Sequence, residues 1–445
     1  MAVDSSTFET LTPSQFITFT LPNTINPHHH HHRCHLHTPL LRIAVLDSPI
    51  ATTDDPNPII AAMIVPDHQE TDWNFCTESG QLQLLYDFSN ISRLILIGNN
   101  LDPNSEPLDY VRTVVDPVDV EKIDCELKRL VVALHPKICF RNGVPKTLFL
   151  TYEDDVLQRV VVKRFVGPFV GEFIVEDVQL ENKEFRRRLR FKRMPNLIQS
   201  QVPVVANVCN VELGLVSLGK MKKVEFRVDT GTLVQPYLTP MVSGLFLIVS
   251  SVNDRIRQGF TPRALCLGVG GGALLSFLNS KLGFEVVGVE ADEVVLSVAR
   301  GYFGLTDGKS VKLIVGDAIQ LIGGLNDKFD VVMVDLDSSE ARSGTSAPPL
   351  EFVKKSVFRA LRSLVYSHGV IVINVISPNE LFYETLVQQL QDVFHRVYAM
   401  DVKNDGNIVL MATVSPIAAN DHDCAFSKRL RAVVSGSYME SIVEL

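Results

Sequence analysis

The residues best able to do chemistry in this chain stand in one ordered series. Arg263-Ala-Leu-Cys-Leu runs into Gly268-Val-Gly270-Gly-Gly272, and Glu285-Val-Val-Gly-Val closes on Glu290. Val311-Lys-Leu-Ile-Val-Gly leads to Asp317, and Phe329-Asp-Val-Val-Met-Val leads to Asp335-Leu-Asp337-Ser. Gly369-Val-Ile-Val-Ile ends on Asn374. Each apolar run reads as a buried strand, and each ends in a glycine loop, an acid or an amide. Open α/β sheets bind ligands outside the carboxyl ends of their strands. Glu290, Asp317, Asp335, Asp337 and Asn374 are therefore expected to ring one crevice. Gly268, Gly270 and Gly272 would let the backbone turn tightly and approach a ligand. Glu290 follows that loop at a spacing where a carboxylate can accept hydrogen bonds from ribose hydroxyls.

The glycine loop alone does not choose the ligand. Read as Gly268-x-Gly270-x-x-Ala273, it also suits a nicotinamide dinucleotide. The acids argue for a ligand with a ribose, an adenine amine and a cationic centre. S-adenosylmethionine has all three, whereas a pyrophosphate is poorly served by so much negative charge. Each acid taken singly could instead be a helix N-cap after a strand. Tyr237 precedes a helix expected from Thr239 to about Asn253. It could close over a ligand or be a core tyrosine.

The elements that must position these residues read as a doubly wound α/β domain over 241–415. Arg396-Val-Tyr-Ala-Met-Asp and Asn407-Ile-Val-Leu-Met-Ala flank Lys403-Asn-Asp-Gly406, which is hairpin chemistry. A parallel sheet closed by an antiparallel hairpin is the seven-stranded, Rossmann-like class I methyltransferase pattern. Ahead of it, 41–200 reads as a mixed α/β accessory domain, with helices expected over Ser79–Ser89 and Val120–Leu134. Residues 201–240 read as a β-rich linker or hairpin, and 416–445 as a tail with a helix from Ala425 to Val434. Residues 1–40 are rich in Ser, Thr, Pro and His and are expected to be disordered. His28 to His32, with His35 and His37, could bind a transition metal, but as a low-complexity tract it lacks a second ligand set. The run Arg186, Arg187, Arg188, Arg190, Lys192 and Arg193 reads as a strand with one solvated basic face.

Composition narrows the partners. The chain has 445 residues, 46% of them hydrophobic, and a formal net charge of −9. That length suggests two or three domains, and that charge gives no footprint for DNA. A basic protein partner suits it better. The seven cysteines are scattered, without a Cys-x-x-Cys pair, as expected of reduced thiols in a cytoplasmic protein. No apolar run is long enough to span a membrane, and the N-terminus lacks a signal core.

Residues 261–415 resemble the spermidine-synthase-like branch of class I methyltransferases. Within it, the chain resembles the C-terminal half of the methyltransferase-like protein thirteen family. The similar segments begin with Glu70-Thr-Asp-Trp73-Asn-Phe, Thr77-Glu-Ser-Gly80 and Phe173-Ile-Val-Glu176-Asp177. They continue through Phe185-Arg-Arg-Arg-Leu, Asn196-Leu-Ile-Gln-Ser200, Leu267 to Gly272 and Val289-Glu290. Asp335-Leu-Asp337-Ser338, Ser346-Ala-Pro-Pro349 with Phe352-Val, and Gly369 to Asn374 complete them. The chain departs from the family around Leu238-Thr-Pro-Met241, which lacks its charged and histidine residues.

The resemblance implies methyl transfer from S-adenosylmethionine to the N-terminal α-amine of translation elongation factor 1-alpha. The family's other half methylates a lysine, an activity not expected here because no second glycine loop is present. In this reading Gly268, Gly270 and Gly272 pack on the methionine part of the donor, Glu290 holds its ribose, and Asp317 its adenine amine. Asp335 orients donor or acceptor near the sulfonium. Asp337 and Asn374 hold the acceptor nitrogen, and Tyr237 closes over it. A polyamine aminopropyltransferase shares the fold and acidic crevice but uses a decarboxylated donor; the acids at all the strand ends weigh against the other alternative, a non-catalytic nucleotide-binding scaffold.

Overall fold

The computed structural model describes residues 5–23, 40–50, 56–88, 90–100, 109–112, 127–207, 221–222, 224–338, 347–377, 379–402, 406–417, 423–435 and 437–445. The histidine tract, residues 120–126 of the expected Val120–Leu134 helix, and the 403–405 turn lie outside them. Three sheets organise the described residues.

The first sheet contains β1 (Phe16–Pro22), β2 (Leu40–Asp47), β3 (Ile59–Ile64), β4 (Ile91–Asn99) and β6 (Leu148–Leu150), in the order β1-β2-β4-β3-β6. Strand β4 is buried along most of its length because both faces are covered. The helix Glu78–Asp87 packs with the apolar cluster on one face. The segment 127–134, helical over 127–133, covers the other together with Phe8 and Leu11. Residues 5–22 are therefore part of the fold, contrary to the disorder expected across 1–40. The polar composition hid a period of two: Ile17, Phe19 and Leu21 turn toward the core while Thr18 and Thr20 face out.

A fully buried guanidinium ties this segment down. Arg93 on β4 donates through Nε and Nη2 to the two oxygens of Asp47, at 2.5 and 2.9 Å. It also donates to the carbonyls of Phe8, Leu134 and Thr10, at 2.8, 2.7 and 2.9 Å. All five N–H donors of the guanidinium thus find acceptors.

The second sheet is antiparallel. It contains β5 (Tyr110–Val111), β7 (Val156–Gly167), β8 (Gly171–Leu180), β9 (Phe185–Phe191), β10 (Ile198–Ala206) and β11 (Phe226–Val228), in the order β11-β10-β9-β8-β7-β5. It runs across the expected 200/201 boundary: the stretch read as a β-rich linker or hairpin supplies β11 and most of β10, which pair antiparallel. The four arginines Arg186, Arg187, Arg188 and Arg190 of the basic run lie on β9, and they do not form a solvated face. Glu176 and Asp177 on β8 stand directly across from Arg188 and Arg187. Arg187 donates to both oxygens of Asp177, at 2.7 and 2.9 Å. Arg190 reaches Asp72 at 3.1 Å and Glu176 at 3.4 Å. The acids that neutralise the run are distant in sequence, which is why the run by itself reads as exposed. Burial alone would raise the Asp72 carboxyl, but Arg159 and Arg190 hold it down to about 2.

The third sheet contains β12 (Arg263–Leu267), β13 (Glu285–Glu290), β14 (Val311–Val315), β15 (Phe329–Val334), β16 (Val365–Ile376), β17 (Arg396–Val402), β18 (Asn407–Thr413) and β19 (Val443–Glu444). Its order is β14-β13-β12-β15-β16-β18-β17-β19. Strands β14 to β16 pair in parallel, and β18 and β17 close the sheet as an antiparallel hairpin. This is the expected seven-stranded, Rossmann-like arrangement with a two-residue strand added at the edge by the chain's last residues. Helices cover both faces, which explains why the parallel strands are mostly apolar.

The second sheet docks on the third. Phe173, Leu189, Phe191 and Val202 share a core with the helices beside β12 and β13. Asp292 accepts the backbone N–H groups of Phe169 and Val170, at 2.9 and 3.1 Å. Arg187 donates to the carbonyl of Tyr302 at 3.1 Å. The crevice beyond the strands is therefore walled by both sheets.

The Arg93 network yields a stability prediction. Arg93→Met should destabilise the protein by about 3–5 kcal/mol, because it leaves Asp47 buried without its countercharge. Urea unfolding followed by circular dichroism would measure it, and a change under 1 kcal/mol would show the network to be dispensable.

Candidate functional site

A cleft of about 570 Å³ opens at the carboxyl ends of β12, β13, β14, β15 and β16. Gly268, Gly270, Glu290, Asp317, Asp335, Asp337, Asn374 and Tyr237 all line it. The crevice expected from the strand ends therefore exists and gathers these residues. Gly272 does not line it. With φ +82 it caps the helix Ala273–Phe277, and a side chain there would strike Leu305 at 2.8 Å. Its glycine serves helix–loop packing, so the expected contact with a ligand is corrected for this residue.

The other two glycines shape the wall. Gly268 has φ +87, and a Cβ on it would lie 2.0 Å from the carbonyl oxygen of Asp335. The loop can approach the end of β15 only without a side chain. Gly270 has φ +51 and lies against Ser200, whose hydroxyl accepts the Gly271 N–H at 2.7 Å. Glu290 accepts the N–H groups of Val269 and Gly270, at 3.1 and 3.2 Å, and that of Asp292 at 3.3 Å. Burial raises its carboxyl while those amides oppose the rise. Glu290 thus orients the loop as well as facing the cleft.

Asp317 is exposed and caps the next helix, its Oδ1 accepting Ile319 and Gln320 N–H at 2.8 and 3.1 Å. The helix-cap reading describes that oxygen, although the residue remains at the cleft edge. Strand β15 ends at Val334, so Asp335 and Asp337 sit in the loop after it. The loop itself brings both to the cleft.

Asp335 is the centre of the site. Its Oδ2 accepts the Tyr237 hydroxyl at 3.0 Å, and its Oδ1 accepts Asn374 Nδ2 at 3.0 Å. Asn374 in turn accepts from Asn407 Nδ2 at 2.8 Å. Burial pushes the Asp335 carboxyl up to about 6, opposed by Asn374 and Tyr237 and reinforced by Asp337. Burial and the neighbouring Asp335 also raise the Tyr237 phenol, so it acts as a donor. Tyr237 is both a core residue and a wall of the cleft. Asn374 holds Asp335 directly, so the structure gives it a positioning contact in addition to the acceptor contact expected of it. Asp337 is held differently. Arg193 Nη2 donates to its Oδ2 at 2.7 Å, and burial raises its carboxyl against that pairing.

Sequence reasoning did not assign roles to Arg193, Gln199 or Ser200, all of which line the cleft. The segment Asn196–Ser200 carried a signal through its resemblance alone. Arg193 carried none, since it differs from its neighbours in the basic run only by where it points. As a whole, the cleft can pack a ligand against bare backbone at Gly268 and Gly270, offer Glu290 to hydroxyls and present Asp335 to a positive charge.

Two alanine substitutions test the glycine argument. Gly268→Ala should lower stability by about 1–3 kcal/mol, because φ is left-handed and the carbonyl of Asp335 blocks the new methyl. Gly301→Ala, in the helix Glu293–Tyr302 with nothing within 4 Å of the new Cβ, should be neutral or stabilise by up to about 1 kcal/mol. Melting curves of the two variants would compare them; equal effects would remove the close approach at Gly268.

Residues 264–405 match the family model described as the spermine/spermidine synthase domain. The chain is 27% identical over 385 residues to the eEF1A lysine and N-terminal methyltransferase of Xenopus laevis, covering 82% of this chain and 52% of that protein. It is 25% identical over 404 residues to the protein of the same name in Homo sapiens, covering 85% of this chain and 54% of that one. The chain spans about half the length of these curated relatives. A crystal structure of human methyltransferase-like protein 13 in complex with SAH aligns at 24% identity and a TM-score of 0.40, over 44% of this chain and 91% of that one. The chain is thus similar to the eEF1A lysine and N-terminal methyltransferases over most of its own length, and to the spermine/spermidine synthase domain over residues 264–405.

Proposed function

We propose that this protein transfers methyl groups from S-adenosylmethionine to the N-terminal α-amine of translation elongation factor 1-alpha in the cytoplasm. The observation that carries the reading is Asp335. It is a half-buried carboxylate held by a phenol and an amide, beside a glycine loop and across from Glu290. Such a group favours a cationic ligand over a neutral or anionic one.

When bound, S-adenosylmethionine supplies a methyl group on a positively charged sulfur. Gly268 and Gly270 leave room for the donor's amino-acid part against bare backbone. Glu290 accepts from its ribose hydroxyls, and Asp317, at the edge of the cleft, bears on its adenine amine. Asp335, aimed by Tyr237 and Asn374, faces the positive centre. Asp337 and Asn374 hold the incoming amine on its line of approach. Holding both partners in line is itself the main catalytic contribution.

No strong base is required for this acceptor. An α-amine titrates near about 7.7–8.0 and lysine near about 10.4, so roughly a tenth of an α-amine is neutral at pH 7 against under about a thousandth of lysine. The acidic surface suits a basic partner, and the strand-end acids do not suit DNA. One finding favours a second reading, aminopropyl transfer to a polyamine: the match to the spermine/spermidine synthase domain. The two differ in the mass added to the acceptor.

The protein incubated with S-adenosylmethionine and a peptide bearing the free N-terminal glycine of the elongation factor should add 14-dalton increments (~14 per methyl), read by mass spectrometry. The acetylated peptide should be inert, because its nitrogen lone pair is delocalised into the amide and is neither basic nor nucleophilic. Equal labelling of both would place the target on an internal side chain.

A pH dependence follows from Asp335. Its carboxyl titrates near 6 in the free protein, above the ordinary 3.8. Its contribution to stability is therefore present below about pH 4 and is lost as pH rises through 6. A bound sulfonium favours the ionised form, so donor binding should release a proton below pH 6. Donor affinity should rise with pH up to about 6 and then level off. Calorimetry in two buffers of different ionisation enthalpy would detect the proton, and Asp335→Asn should abolish the dependence. A pH-independent wild type would remove Asp335 from the donor's positive centre.

A further inference from the structure

The cleft holds an arginine that methyl transfer does not call for. Arg193 follows β9, outside the sheet that carries the glycine loop. Its guanidinium lies over the Phe191 ring at 5.2 Å. It donates to Asp337 Oδ2 at 2.7 Å and to the Ser338 carbonyl at 3.1 Å. These contacts clamp it against the Asp335-Leu-Asp337-Ser338 loop from the opposite wall. An arginine placed in this way acts on the charge of the acceptor end of the cleft.

The arithmetic of that end is simple. Asp335 and Asp337 are two carboxylates, and Asp337 raises the proton affinity of Asp335. Arg193 against Asp337 leaves one net negative charge, centred on Asp335. Elsewhere in the cleft Glu290 is engaged by backbone amides, Asp317 by a helix cap, and Glu351 shares the rim with Lys354. In the protein without donor, Asp335 can therefore match one positive charge; with a sulfonium bound it is engaged as well, and no carboxylate is left for a second ammonium. A diamine brings two ammonium groups, and the second would meet Arg193 where it needs a carboxylate. A single amine followed by neutral peptide backbone meets no such conflict.

We infer that Arg193 sets acceptor specificity: by neutralising Asp337 it denies a second ammonium its countercharge, while Asp337 can still accept a hydrogen bond from a single amine. The inference rests on the proposed reading of the cleft as an amine-methylating site and deepens it. Specificity is then built partly by an opposing charge.

The test compares two probes that differ by one ammonium group, 1,4-diaminobutane and butylamine. Calorimetry on the full chain gives the ratio of their affinities. In the wild type the ratio should stay near one. In Arg193→Met the freed Asp337 should bind the second ammonium and raise the ratio by at least about tenfold. Arg193→Lys keeps the charge and should retain the wild-type ratio, which separates charge from packing. Should the methionine variant prove unfolded by its melting curve, Arg193→Gln makes the same comparison. An unchanged ratio in folded variants lacking the charge, or a wild type that already prefers the diamine tenfold, would overturn the inference. The binding ratio needs no turnover. Failure of peptide methylation would thus count against the proposed function and leave this result to be read separately.

Discussion

An incompletely compensated carboxylate organises the cleft. Asp47, Asp72, Asp177, Asp330 and Asp337 each face an arginine: Arg93, Arg190, Arg187, Arg255 and Arg193. Asp335 is held by Tyr237 and Asn374, neither of which carries a charge. Taking a carboxylate partly out of water without a countercharge is costly, and its raised proton affinity records that cost. A cationic ligand relieves it. The surrounding structure keeps the carboxylate in place: Asn407 holds Asn374, and the core around Tyr237 fixes the phenol.

The second sheet matters because it completes this site. A Rossmann-like sheet alone supplies the glycine loop and the strand-end acids. Ser200 then fixes the Gly271 amide, and Arg193 fixes Asp337. Asp292 holds the β7–β8 turn against the other side of the cleft. Short contacts from a separate sheet thus define the loop's shape and the site's charge. The buried arginines of β9 tie that sheet to its neighbours. Their partners Asp177, Glu176 and Asp72 come from β8 and from the cap of the Trp73–Cys76 helix. Buried pairs of this kind specify geometry more than they add stability.

Much of the third sheet was legible in the residues. Five apolar runs, the glycine loop and the acids that follow them fall where period and spacing place them, because strands covered on both faces must be mostly apolar. The hairpin at β17 and β18 was legible from its flanking strands. The N-terminal strand was not, since Ser, Thr and Pro masked an alternation of only three inward residues, Ile17, Phe19 and Leu21. Nor was the burial of the Arg186–Arg190 run, because its neutralising acids lie in other strands.

The sequence by itself determined which residues could meet at the strand ends, since chain order and strand direction force Glu290, Asp317, Asp335, Asp337 and Asn374 to one side of the sheet. Tertiary structure decided what each of them does there. Gly272 became a helix cap, Asp317 gave one oxygen to a helix, and Asn374 became the prop of Asp335. Arg193 entered from another sheet to neutralise Asp337. The physical reason is that charge and hydrogen-bond partnership depend on distances of about 3 Å between segments far apart in the chain. No local pattern of residues encodes those distances; only the packing of one sheet on another sets them.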